Sequence, residues 1–312
     1  MDAVRAIADT ILYEGHLLWP YRASAARHGK RWTIGGVHPK EEAERSGGRW
    51  TVSAEFLLED GPESTVEFTL RFLQTVHRQM MDGDAPVPEL KVGPGTYRTR
   101  QEAREREITS GRLPVERLLR SPVRVPVAIA AGLDEKPVEG TVQSPVERPV
   151  EGTLEGTVEG TARIVRTWDR VTGTVVLSAE RAAPGAVRLR AVLVNTGAAA
   201  DRDEAARSAM LCAHLVADAS GGAFVSPADP PARLAGAAAA CHSDGLWPVL
   251  AGPPGGHGTV LAAPIVLYDW PQVAPQTPDD LFGGAGLDRL LAELAAGDPR
   301  GGGRATTGTG RS

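Results

Sequence analysis

Cysteine, aromatic residues and long apolar runs are all scarce in this sequence. Only 2 of the 312 residues are cysteine, too few for a disulfide scaffold, which favours a protein of the reducing cytoplasm. The longest apolar runs, at 237–241 and 260–268, are much shorter than a membrane span. Because 42% of the residues are hydrophobic and 23% are charged, a soluble globular protein with a substantial core is expected.

An excess of positive charge is also missing. The net charge is −5, and the segment 134–162 alone accounts for it, since it holds seven acidic and two basic residues. The rest of the chain is neutral, whereas a protein that binds nucleic acid normally has a basic surface. The sequence therefore predicts no nucleic-acid partner and no membrane span.

The familiar motifs of catalysis and cofactor binding are absent from the chain. It has no phosphate-binding P-loop, HExxH, GxSxG or CxxC pattern, so we predict no catalytic residues and no cofactor. Cys212, His214, Cys241 and His242 are the right residue types for zinc or nickel. In a helix, however, residues two apart point in nearly opposite directions, so no metal site is predicted and Cys212 is expected to be buried beside a partly exposed His214.

Hydrophobic periodicity predicts an α+β fold built mainly on an antiparallel sheet or sandwich. Residues 3–14 have the spacing of an amphipathic helix. The alternating runs 50–57 and 65–72, joined by turn-forming residues 59–63, predict a β-hairpin. Further strands are predicted in a series of short segments: 105–110, 122–130, 163–168, 172–179 and 186–195.

One packed helix is predicted near 202–217, with Asp201 as its cap and Glu204 completing a capping box. We predict one globular domain over residues 1–295 and a disordered tail over 296–312. Within that domain, the acidic tract 134–162 repeats the motif PVEGT and related tetrapeptides, and we interpret it as an expanded, solvated loop.

Residues 13–32, YEGHLLWPYRASAARHGKRW, concentrate aromatic and basic side chains. The longer stretch 13–39, together with GGAFVSPADPP (221–231) and the later blocks at 245–252 and 263–282, resembles a poorly characterised bacterial family encoded with nickel–iron uptake hydrogenases. The resemblance implies an accessory, assembly or maturation role for a hydrogenase. It carries over no catalytic residue and no cofactor.

Aromatic residues joined to prolines, Trp19-Pro20-Tyr21, Trp247-Pro248 and Trp270-Pro271, occur in three of these blocks and suit protein interfaces. We therefore expect a protein partner, a hydrogenase subunit or maturation factor, bound at a surface that folding gathers from ten residues: Tyr13, Glu14, Trp19, Tyr21, Arg22, Trp32, Asp229, Trp247, Asp269 and Trp270. Two alternatives stay open. One is an enzyme or metal-handling protein of the same pathway, with Glu14, Arg22, Asp229 and Asp269 around a polar pocket. The other is a structural subunit of the mature complex.

Overall fold

A single long strand organises the part of the chain that the structure describes. The computed structural model describes residues 3–17, 35–92, 95–138, 142–143 and 162–272. The α-helices in these ranges are α1 (Ala3–Leu17), α2 (Lys40–Ser46), α3 (Val115–Arg120), α4 (Arg202–Arg207) and α5 (Ala235–Ala239), and a 3-10 turn covers Ala232–Leu234. The strands are β1 (Thr51–Asp82), β2 (Ala85–Val87), β3 (Glu89–Val92), β4 (Gly95–Arg98), β5 (Arg100–Pro114), β6 (Val123–Ile129), β7 (Gly132–Pro137), β8 (Val142–Gln143), β9 (Ala162–Trp168), β10 (Val171–Ala183), β11 (Ala186–Asn195), β12 (Leu211–Phe224), β13 (Trp247–Ala251) and β14 (Thr259–Ala263).

Eleven of the fourteen described strands form one large antiparallel sheet around β1. Its main path is β13-β14-β12-β1-β11-β10-β6; β2, β5 and β9 also pair with β1, and β7 pairs with β9. With 32 residues, β1 can pair in succession with β11 near its start, β12 and β5 in its middle and β9 near its end. The sheet is curled, and a small separate sheet contains β4, β3 and β8. The expectation of a β-rich, mainly antiparallel fold is confirmed, as are the five short strands predicted between 105 and 195.

The two alternating runs that predicted a hairpin are consecutive parts of β1. The chain does not reverse at residues 59–63, because β12 pairs with β1 on both sides of a register shift between Asp60 and Thr65. The hydroxyl of Ser64 donates a hydrogen bond of 2.7 Å to the carbonyl of Gly221 and so fixes this irregular segment to β12. The hairpin prediction was wrong because the same residue types that make turns also make bulges in a continuous strand.

The helix predicted near 202–217 is short and is followed by a strand. Helix α4 covers only Arg202–Arg207, with Asp201 accepting the amide hydrogen bond of Glu204 at 2.8 Å, as the capping pattern predicts. From Leu211 the chain is extended as β12. The prediction of one packed helix over 202–217 was therefore wrong beyond residue 207.

Burial on both faces explains that error. Strand β12 lies between β1 and β14, with Ala213 and Leu215 in the core on one face and Val216 beneath α1 on the other. A strand covered on both faces is apolar at nearly every position, so it lacks the alternation of a half-buried strand. Periodicity alone cannot tell such a run from a buried helix.

The main apolar core lies on one face of the sheet, here called the inner face. The buried inward residues of β1 are Val52, Ala54, Phe56, Leu58, Val66, Phe68, Leu70 and Phe72. Phe56 meets Phe224 edge to face, with ring centroids 5.6 Å apart. The space between Phe68, Ile108, Val125 and Leu177 has no room for a water molecule, so this part of the inner face is filled by side chains.

Helix α1 covers part of the opposite, outer face. Val4, Ile7 and Ile11, at the spacing of one helical face, pack with Val249 of β13 and Leu261 of β14. Leu12 extends the contact to a neighbouring apolar cluster on β1 and β12. The apolar stripe of α1 is thus buried against the strands nearest the β13 end of the sheet.

A buried polar group lies beneath α1, where Arg71 of β1 stands opposite His214 of β12. Arg71 bonds to Asp9 of α1 at 2.5 Å and contacts Glu105 at 3.3 Å and Glu107 at 3.5 Å on β5. His214 was expected to be partly exposed, but its exposed fraction is 0%. The expectation was wrong because His214 lies on the outer face of a central strand, which α1 encloses.

Cys212 marks an irregularity in β12 next to this polar group. Its φ of 51° is unusual for a residue with a side chain, and the register of β12 against β1 shifts there. The Nδ1 atom of His214 lies 2.9 Å from the Cys212 carbonyl oxygen. Since only a protonated Nδ1 can donate to a carbonyl, Nε2 is the acceptor of the neutral ring, and it has no hydrogen-bond partner among the described residues.

Burial lowers the pKa of His214 to about 4. The hydrogen bond to the Cys212 carbonyl and the charge of Asp9 act in the opposite direction, but burial, aided by the positive charge of Arg71, outweighs them. His214 is therefore neutral in the folded protein at neutral pH.

Beyond Phe72 the inner face changes from apolar to charged. Gln74 and Arg78 follow on β1, and their neighbours on β5 and β9 are mostly arginines. We call this region the arginine face; it consists of Arg78, Arg100, Arg104, Arg106 and Arg166. Further along β1, Met80 joins a small apolar cluster near the three-stranded sheet.

Part of the acidic tract that was predicted to be a loop, residues 134–162, forms strands. Residues 132–137 form β7, paired with β9, and Val142–Gln143 pair with β3, so the loop prediction for 134–162 was wrong at its edges. Residues 139–141 and 144–161 lie outside the described residues, as does the expected domain end at 295 with its tail. Residues up to Pro271 gather into one unit. Among the described ranges, each helix is too short or too polar to cross a bilayer.

We predict that His214 makes the protein less stable in mild acid. Its pKa is about 4 when folded and about 6.5 in an unfolded chain, so unfolding takes up a proton between these pH values and stability falls as the pH drops through this window. Between pH 7 and pH 4.5 the group should cost about 2 to 3 kcal/mol of unfolding free energy. Urea unfolding at pH 7 and at pH 4.5 measures this change in the free energy of unfolding.

In His214→Leu the loss of unfolding free energy between pH 7 and pH 4.5 should be smaller than in the wild type by about 2 to 3 kcal/mol. The matched control is His242→Gln, which replaces an exposed histidine and should keep the wild-type pH dependence. An unchanged pH dependence in the His214 variant would show that His214 is not a neutral, enclosed group.

Candidate functional site

The free edge of β13 is closed by two of the residues that the sequence analysis selected. Strand β13 stands at the end of the sheet path. The amide of Leu250 donates to Oδ1 of Asp269 at 2.8 Å, and the carbonyl of Leu250 accepts from the amide of Trp270 at 2.7 Å. Asp269 and Trp270 thus satisfy backbone groups that an edge strand would leave unpaired.

Asp269 also ties this edge to the loop that follows β12. Its Oδ2 accepts a hydrogen bond of 2.5 Å from the hydroxyl of Ser226, and that hydroxyl in turn accepts from the amide of Asp229 at 2.8 Å. The side chain of Asp229 itself is exposed. Folding therefore brings Asp229 and Asp269 near each other through Ser226, and both carboxylate oxygens of Asp269 are engaged in joining segments of the chain.

Trp270 stabilises the same edge of the sheet, beside β13. Its ring packs against the inner core, and its Nε1 donates to the carbonyl of Gly256 at 2.7 Å. The ring stands almost perpendicular to that of His257, with centroids 6.1 Å apart. The φ of Trp270 is 51°, a conformation that these contacts hold in place.

Trp247 and the segment after β14 present apolar side chains to solvent. Trp247 opens β13 opposite Ala263 and is 39% exposed. In the segment that leads from Ala263 to Asp269, Val266 is 77% exposed and Tyr268 is 90% exposed. We call Trp247, Val266 and Tyr268 the β13 surface, since all three lie on or beside that edge strand.

The remaining predicted binding residues lie outside the described residues, wholly or with their side chains. Tyr13 and Glu14 belong to α1, but their side chains lie outside the described residues. The same holds for all of Trp19, Tyr21, Arg22 and Trp32. A surface or pocket shared between these six residues and the β13 corner stays a prediction.

Both thiols have a raised pKa. Burial raises the pKa of Cys212 to about 12 and that of Cys241 to about 11, so both thiols are protonated at neutral pH and are poor nucleophiles. The helical geometry used against a metal site does not apply, because Cys212 and His214 lie on a strand. Within the described ranges, no three His, Cys, Asp or Glu side chains gather around one point.

Two groups of residues were not selected from the sequence: the exposed side chains after β14 and the arginine face. Val266 and Tyr268 alternate with Ile265 and Leu267, which pack against the cluster beneath α1, so a period-two pattern within an apolar run was the available signal. The arginine face was also readable, because Arg104 and Arg106 are two apart in a strand and so share a face.

We predict that removing the carboxylate of Asp269 destabilises the fold. In Asp269→Ala, the Leu250 amide and the Ser226 hydroxyl lose their acceptor, which should cost about 1 to 3 kcal/mol of unfolding free energy in urea. Asp229→Asn is the matched control: its side chain is exposed, and the change should be within about 0.5 kcal/mol. Equal effects of the two substitutions would contradict the bracing role of Asp269.

Comparison with known proteins assigns no role to the residues at the edge of β13. No protein-family model matches the chain, and no curated protein is significantly similar to it. Any role for the site is therefore argued from its own geometry and from the resemblance in the sequence.

Proposed function

We propose that this protein is a non-catalytic accessory protein that binds a partner protein through the β13 surface. The observation that carries the proposal is the exposure of Tyr268, at 90%, next to Val266, at 77%, on the segment beside an edge strand. Large apolar side chains grouped in solvent are typical of protein-binding sites. A tyrosine adds a hydroxyl at the end of an apolar ring, which suits it to an interface.

The backbone that carries these side chains is well anchored, which supports a preformed binding site. Ile265 and Leu267 pack into the cluster beneath α1, on either side of Val266 in sequence. At the end of the segment, Asp269 and Trp270 are hydrogen-bonded to Leu250. A fixed backbone lowers the entropy lost on binding, because only side chains remain to be ordered.

The proposed partner is a subunit or maturation factor of a nickel–iron hydrogenase. This part of the proposal rests on the resemblance of residues 13–39, 221–231, 245–252 and 263–282 to the hydrogenase-associated family. Two of those blocks, 245–252 and 263–282, include the three residues of the β13 surface. Sequence resemblance and exposed apolar surface therefore coincide there.

The proposal predicts that the β13 surface is needed to capture a hydrogenase protein. The tagged chain is expressed in cells that make the hydrogenase, and proteins that co-purify are quantified by mass spectrometry against an unrelated bait. The wild type should enrich a hydrogenase subunit or maturation factor. The double variant Trp247→Ala/Tyr268→Ala should reduce that enrichment by about tenfold or more, since tryptophan and tyrosine are enriched among the few interface residues whose truncation costs about 2 kcal/mol or more.

Tyr97→Ala is the matched control, because it removes another exposed aromatic ring from a different sheet. It should leave the enrichment unchanged. If the wild type enriches no hydrogenase protein, the proposed partner is wrong. If Tyr97→Ala and the double variant behave alike, the proposed surface is wrong even where a partner is found.

The same experiment addresses the two alternative roles. A structural subunit would remain bound to the mature, active hydrogenase through purification, whereas an assembly factor would be found with immature subunits. If the protein is an enzyme with a pocket of Glu14, Arg22, Asp229 and Asp269, Asp229→Asn should abolish its reaction. The partner-binding proposal instead expects Asp229→Asn to capture the partner as the wild type does.

A further inference from the structure

The arginine face carries an excess of positive charge among the described residues. Its five arginines share this part of the inner face with only two carboxylates, Glu102 and Asp134, which leaves three positive charges uncompensated. Like charges held together in a partly enclosed place are costly unless an opposite charge joins them. This excess stands out in a chain whose net charge is −5.

Glu102 is shared by three of the arginines. It accepts hydrogen bonds from Arg78 at 2.7 Å and Arg166 at 2.8 Å, and Arg100 lies 3.5 Å away. Burial alone would raise the pKa of Glu102, but the hydrogen bonds from Arg166 and Arg78 outweigh it and hold the pKa below its ordinary value. Glu102 therefore pairs with this trio and not with Arg104 or Arg106.

Arg104 and Arg106, the two arginines outside this trio, lie against the ring of Trp168. The guanidinium of Arg104 lies 4.3 Å and that of Arg106 5.6 Å from the ring centroid of Trp168. Arg104 has one distant contact, 3.8 Å to Asp134. Arg106 donates its Nε to Gln74 at 2.8 Å, while its buried Nη2 has no partner among the described residues.

The pair is held in place by its neighbours. Gln74 is fully buried, and its own amide donates to the carbonyl of Asp169 at 2.6 Å, so its oxygen is fixed toward Arg106. Trp168 is anchored by a 3.1 Å hydrogen bond from Nε1 to the carbonyl of Ala130. Burial, and to a lesser extent the positive charge of Arg104, lower the pKa of Arg106.

We propose that Arg104 and Arg106, beside Trp168, form a binding site for a small oxyanion of charge two or more, of the phosphate or polycarboxylate class. Neighbouring guanidinium groups present several N–H donors in fixed planes, which matches the oxygens of such anions. A divalent or trivalent ion also balances the excess of three charges better than chloride. The site shares no residue with the β13 surface, so it stands or falls separately from the proposed function.

The test measures thermal unfolding of the whole chain in inorganic phosphate and in citrate, with sodium chloride added to keep the ionic strength constant. Binding to the folded state should raise the melting temperature in a saturable way. A stronger response to phosphate would identify a phosphate-type ligand, and a stronger response to citrate a polycarboxylate. A melting temperature that depends only on ionic strength would overturn the proposal.

Two variants locate the effect. Arg106→Gln removes the guanidinium whose buried Nη2 has no partner among the described residues. Arg104→Gln removes the other guanidinium beside Trp168 and is the test if Arg106→Gln does not fold. Each should weaken the apparent affinity about tenfold or more, the loss expected for a charge-assisted hydrogen bond. Arg124→Gln, an exposed arginine on β6, is the matched control and should retain wild-type affinity. Equal weakening in all three would show general charge screening and no site.

Discussion

A strand of 32 residues has two faces along its whole length, and both must be covered or solvated. Strand β1 meets this constraint by changing partners. Its inner face is apolar from Val52 to Phe72 and is enclosed by the curled sheet, whereas its outer face meets α1 near Arg71 and α4 near Thr75. Most of the remaining architecture consists of strands that pair with one stretch or another of β1, so the fold is dominated by contacts between residues far apart in sequence.

The strands around β1 and helix α1 enclose several polar side chains, and each of these has partners that offset the cost of its burial. Arg71 is nearly fully buried and shares three carboxylates, from α1 and β5, which offset the cost of removing its charge from water. His214 beside it remains neutral and uses the carbonyl of Cys212, at an irregular turn of β12. At the edge of β13, Asp269 has a similar role, since its two carboxylate oxygens accept hydrogen bonds from the amide of Leu250 and from the hydroxyl of the buried Ser226.

The two regions proposed to bind other molecules use different physical chemistry. The β13 surface offers exposed apolar side chains on an anchored backbone, which favours a large partner with a complementary apolar face. The arginine face offers fixed positive charge at the end of the core, which favours a compact anion. Both regions occur where the sheet stops burying side chains in its main core: at its edge strand and at the far end of β1.

Local patterns in the sequence predicted six of the fourteen described strands. Alternation predicted the two runs of β1, short segments bounded by proline, glycine or asparagine predicted β5, β6, β9, β10 and β11, and the cap at Asp201 placed the start of α4. Long-range packing determined what the patterns could not. Whether residues 59–63 reverse the chain depends on pairing with β12, and whether 211–217 is a strand or a helix depends on being covered on both faces. The burial of His214 and the gathering of Ser226, Asp229 and Asp269 likewise arise from segments distant in sequence, because a residue's own neighbours do not specify which part of the chain will cover it.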